Sequence, residues 1–87
     1  HDKTSLSQLR KMRMELLNVI IEYTRLREEL EEILDAYNAS SPEEILKKIK
    51  NGKLPEHPTY ENYLEAKSLL QDAAQLKNKL KELIERF

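Results

Sequence analysis

The chain has 87 residues, enough for one small domain and too few for a second. It holds no cysteine and a single glycine, which excludes disulfides, thiolate metal sites and glycine-rich phosphate loops. Lys and Arg number 15 against 16 Asp and Glu, so the chain lacks the basic excess with which nucleic-acid binders neutralise phosphates.

Helix one is expected over about residues 6–37. Ser5-Leu6-Ser7-Gln8 fits a capping box, in which the Ser hydroxyl takes the amide three residues on and Gln reaches back. A heptad seam follows: Leu9, Met12, Leu16, Val19, Tyr23, Leu26, Leu30, Ile33 and Tyr37. Steps of three and four keep one apolar line facing a neighbouring helix, as in a coiled coil or bundle. Asn38 suits the left-handed position just past a helix end. The longest apolar run, Val19-Ile20-Ile21, falls far short of the roughly 20 residues of a membrane span. The opening His1-Asp2-Lys3-Thr4 lacks the apolar stretch of a secretion signal, so a cytoplasmic location is expected.

Helix two is expected over about residues 42–50. Ser41 caps it, Pro42 takes the first helical position, and Glu44 is placed to complete a second capping box. Glu43–Lys47 and Glu44–Lys48 have the favourable spacing, with the acid on the N-terminal side. Asn51-Gly52 ends the helix, because glycine accepts a positive φ without steric cost. Leu54-Pro55-Glu56-His57-Pro58 is a stiff connector, since each proline restricts the residue before it.

Helix three is expected over about residues 59–86, with a seam of Ala66, Leu69, Ala73, Leu76, Leu80, Leu83 and Phe87. Alanines in this line let a neighbour approach closely, and leucines interlock with it. Two long helices joined by roughly twenty residues must fold back antiparallel for their seams to meet. The fold class is therefore all-α: one domain over 1–87, a hairpin of two long helices with a short helix at the closed end. Leu6, Leu17, Ile20, Ile21 and Leu34 lie outside the strict seam of helix one, which makes its apolar surface wider than one partner can cover. Leu16, Leu17, Ile20, Ile21, Leu34, Leu70 and Ile84 are the expected interface with another chain. The expected assembly is a homodimer forming a helical bundle.

Charge is distributed unevenly. Arg10, Lys11 and Arg13 make the start of helix one basic, while Glu28, Glu29, Glu31, Glu32 and Asp35 make its end acidic, the reverse of what the helix dipole favours. Folding back adds Lys77, Lys79, Lys81 and Arg86 to the basic end, and Glu61 and Glu65 to the acidic one. A basic open pole could orient an antiparallel dimer, or bind an acidic partner or nucleic acid.

Candidate chemistry is sparse. His57 could act as an acid–base group, or join Glu56 or Glu61 on a metal, but catalytic metal sites take about three protein ligands. Tyr23 and Tyr37 occupy seam positions, and Tyr60 and Tyr63 could line a pocket. Leu9-Arg10 and then Arg27 in Arg27-Glu28-Glu29-Leu30 are similar in placement to the first-helix arginines of the small all-helical chorismate mutases. Those enzymes share the long–short–long helix order and are dimeric. The resemblance implies that Arg10 and Arg27 would grip substrate carboxylates through bidentate contacts. Asn38 stands where that family has a lysine, no arginine precedes the acid in Pro42-Glu43-Glu44, and Gln75-Leu76-Lys77 does not align with its glutamine. The expectation from the residues is a non-enzymatic helical interaction module that self-associates, with no catalytic, cofactor or metal site and no membrane partner.

Overall fold

A computed structural model describes residues 5–87, and the opening His1–Thr4, read above for a secretion signal, lies outside them. Three helices follow one another: α1 (Leu6–Ala36), α2 (Pro42–Lys50) and α3 (Thr59–Glu85). Among the described residues there are no strands. The two long helices pack against each other, and α2 packs on α3.

The helix ends are set by local chemistry. Ser5 Oγ accepts the Gln8 amide at 3.1 Å and Gln8 Oε1 accepts the Ser5 amide at 3.0 Å, which closes the capping box. At the other end of α1, Asn38 adopts φ 50°, the Ala39 amide donates to the Leu34 carbonyl at 2.9 Å, and the Asn38 amide to that of Asp35 at 3.2 Å. This is a Schellman ending. A second one closes α2. Gly52 has φ +74°, with the Lys53 amide on the Lys48 carbonyl at 2.9 Å and the Gly52 amide on that of Ile49 at 3.0 Å. Nothing lies within 4 Å of a Cβ built on Gly52, so backbone conformation, not space, is what selects glycine there.

The second capping box forms only in half. Ser41 Oγ accepts the Glu44 amide at 3.3 Å, but the Glu44 carboxylate turns to Ser40 Oγ at 2.9 Å and to Lys48 Nζ at 3.9 Å. A hydroxyl and an ammonium on adjoining turns outcompete one backbone amide for the carboxylate. Lys48 Nζ also donates to the Tyr37 and Asn38 carbonyls at 2.8 and 3.0 Å. A cation thus sits on the carbonyl end of α1, where the helix dipole favours it, and ties α2 to that end.

The core lies in the closed half of the hairpin. Leu26, Leu30, Leu34, Ile45, Tyr63, Ala66, Leu69 and Ala73 form one buried cluster, with Tyr23, Ile33, Tyr37, Leu46, Ile49 and Leu76 packed around it. Tyr37 Oη accepts a hydrogen bond from Asn62 Nδ2, joining the end of α1 to the start of α3. Two sequence expectations change here. Leu34, expected at an interface with another chain, is 8% exposed within this core. It stands four residues beyond Leu30, and the closed end gathers it into one cluster with Leu30, Ile45 and Tyr63, so a leucine beside the strict seam is enclosed as well. Phe87, expected to extend the α3 seam, falls past the last helical turn and is exposed.

The open half is thinner. In the open half, the buried apolar residues among those described are Val19 and Leu83. Leu9, Met12, Leu16 and Leu80 are half-buried. The molecule measures 63 × 16 × 16 Å with a radius of gyration of 18.1 Å, whereas a compact chain of this length would have about 12 Å. Ile45 is fully buried in the core cluster. Replacing Ile45 by Ala should therefore cost about 2–5 kcal/mol in urea unfolding; a loss below ~1 kcal/mol would mean that α2 is not integral to the core.

Candidate functional site

The open half presents apolar side chains that nothing in the chain covers. Residues 14–21, Met-Glu-Leu-Leu-Asn-Val-Ile-Ile, are apolar except at Glu15 and Asn18. At 100° per residue these eight positions surround the helix, and α3 covers only the arc centred on Val19. The remainder is open: Met14 is 56% exposed, Leu17 50% and Ile21 64%. An apolar segment of this kind, unlike a scattered surface leucine, is what a helix carries when it is to be surrounded.

Of the residues expected at an interface, Leu17, Ile20, Ile21, Leu70 and Ile84 lie exposed, Leu16 is half-buried, and Leu34 is in the core. They fall on two adjoining surfaces. Arg10, Arg13, Met14 and Leu17 line a shallow groove on the back of α1, away from α3. Along one side of the hairpin, Tyr23, Arg27, Leu70, Ala73, Ala74 and Lys77 line a second groove between the long helices. The opposite side is polar, with Glu22, Asp72, Gln75 and Lys79 around Leu26 and Leu76. Five exposed apolar or aromatic residues, Leu6, Met14, Tyr60, Leu64 and Phe87, were not among the expected interface positions. Met14 could have been found from its spacing to Leu17 and Ile21; Leu64 stands alone on α3 and gave no periodic signal.

Electrostatics follow the antiparallel register. Lys79 of α3 reaches Glu15 of α1 at 4.0 Å, and Lys11 and Arg86 line one groove at the open end. Folding back therefore does gather cations there. On α1, Arg25 bridges Glu22 and Glu29, and Arg27 lies 3.8 Å from Glu31. The hydrogen bond from Arg25, and then its charge, hold the Glu22 carboxyl below the usual carboxylate range. These are exposed pairs, worth little each in stability.

The residues with catalytic potential do not converge. His57 Nδ1 lies 3.1 Å from Glu61 Oε1 in the open, with one carboxylate neighbour. Among the described residues no three His, Asp or Glu side chains form a metal-binding group. Arg10 and Arg27 are 17 residues apart on one straight helix, about 25 Å along its axis, and cannot share a ligand within one chain. The rings of Tyr60 and Tyr63 lie 5.7 Å apart between centroids and tilted by 35°, with Tyr63 buried in the core. Among the described residues no helix is long and apolar enough to cross a membrane.

Fold and surface together define a small all-α protein, a two-helix hairpin closed by a short helix and left open along one apolar flank. The chain belongs to the Uncharacterized protein MJ0235 family, whose model matches residues 3–86. No curated protein and no solved structure matches it.

The contrast between the two halves should be visible in amide hydrogen exchange of the isolated chain at micromolar concentration. Amides of Leu26–Leu34 should exchange at least about tenfold more slowly than those of Leu9–Leu16, a difference of ~1.4 kcal/mol in local opening. Equal protection at the lowest concentration would show that two helices alone hold the open half.

Proposed function

We propose that this protein is a non-enzymatic helical interaction module that self-associates through the open half of its hairpin. One observation carries this reading: Met14, Leu17, Ile20 and Ile21 are exposed together on the half of α1 that α2 does not reach. Burying apolar side chains of this size stabilises by roughly 1.5–3 kcal/mol each. A second copy doubles the number buried, because each partner contributes the same set across a two-fold axis. The elongated hairpin supplies the surface, and the closed-half core keeps the fold in place while that surface docks.

A mutase-like reading has one observation in its favour: Arg27 and Lys77 face a common groove and could hold a small dicarboxylate. It lacks a second arginine within reach in the same chain. Purified protein that depletes chorismate absorbance would establish this reading, and the non-enzymatic one would then fall.

Sedimentation equilibrium tests the main proposal. The protein should be a dimer or larger at tens of micromolar. Ile21→Glu, on an exposed position that leaves the core untouched, should shift it to monomer while retaining its helical circular dichroism. A chain that stays monomeric up to millimolar concentration would refute self-association.

A further inference from the structure

The back of α1 carries a second heptad line, distinct from the one that packs on α3. Arg10, Met14, Leu17, Ile21, Thr24 and Glu28 step by four, three, four, three and four, and all six are exposed. The line reads cation, apolar, apolar, apolar, small polar, anion. Run against itself in the opposite direction it is self-complementary. With paired positions summing to 38, Arg10 meets Glu28 of a second copy, Met14 meets Thr24, and Leu17 meets Ile21. Run parallel and in register, it would set Arg10 on Arg10 and Glu28 on Glu28.

We infer that α1 pairs antiparallel with α1 of a second copy along this line, the two-fold axis passing at the level of Val19 but on the opposite face of the helix. The inference rests on the self-association proposed above and specifies its face and direction. Glu28 has no ion-pair partner among the described residues, so its carboxylate is available to Arg10 across the axis. On the flanks the same register sets Lys11 near Arg25 and Arg13 near Arg27 of the second copy, so the charge argument rests on the Arg10–Glu28 pairs at the two ends. Arg25 and Arg27 are matched by Glu22, Glu29 and Glu31 on their own helix, which offsets their charge and leaves Glu28 for Arg10 of the partner. On one flank of the axis Ile20 would meet Ile20, and on the other Asn18 would meet Asn18, so the partly exposed Ile20 is covered in the same contact. Placing opposite charges at both ends of an apolar pairing sets its direction, as charge does in coiled coils.

The chain has no cysteine, so introduced thiols report position without background. Full-length Leu17→Cys and Ile21→Cys variants would be mixed in a glutathione buffer and their disulfides separated by mass. The mixed Leu17–Ile21 bridge should dominate, because only facing positions bring Cα atoms within about 7 Å. Predominant Leu17–Leu17 bridges would indicate a parallel pair and overturn the inference. A dimer in sedimentation that forms no bridge at either position uses another face and also overturns it, while leaving self-association standing. A monomer defeats both. Charge exchange gives an independent arm. Arg10→Glu and Glu28→Arg should each weaken the dimer about tenfold, since symmetry breaks two pairs at once. The double variant should recover wild-type affinity; a double variant as weak as either single one would overturn the pairing.

Discussion

Two helices cannot enclose a core by themselves, and this limit governs the whole molecule. Where a third helix is present, at the closed end, Leu30, Ile45 and Ala66 are almost completely removed from water. Where it is absent, the antiparallel contact of α1 with α3 buries only a narrow line. A nine-residue α2 cannot extend along partners of 31 and 27 residues. One end is therefore a small globular core and the other a two-helix strip, with apolar side chains on surfaces that no part of the chain can reach.

Small contacts at the closed end hold this arrangement. Lys48 on the final carbonyls of α1, the Asn62–Tyr37 hydrogen bond and the two left-handed residues Asn38 and Gly52 fix how the chain turns from α1 into α2 and on towards α3. They set the register that places Lys79 beside Glu15 some 30 Å away along the hairpin. A cation at a helix C-terminus contributes modestly to stability, about 0.3–1 kcal/mol when exposed. Its larger effect is geometric, because a one-turn slip at this end would displace every pairing in the open half.

The functional reading follows from the same limit. Residues 14–21 would be a poor surface for a solitary hairpin and a good one for a helix with neighbours on two sides. Acids and bases are placed against the dipole preference of α1, which costs the helix a little and gives the exposed line opposite charges at its two ends. That combination is what the proposed role in contact with other helices rests on.

Much of this was legible in the residues. The 3–4 spacing from Leu9 to Tyr37, the Ser5 and Ser41 caps and the Asn38 and Gly52 stops gave the three helices nearly to the residue, because periodicity and capping act within a turn or two of chain. The exposure of Leu17, Ile20, Ile21, Leu70 and Ile84 also follows from local spacing, once two seams are known to face each other. Tertiary structure alone decided the rest. Leu34 is core because the closed end gathers it into one cluster with Leu30, Ile45 and Tyr63. The Glu44 carboxylate abandons its own helix start because Ser40 and Lys48 are closer rivals. The two first-helix arginines share no ligand because α1 runs straight between them. Each of these depends on which groups meet across elements, and spacing along a single helix does not carry that information.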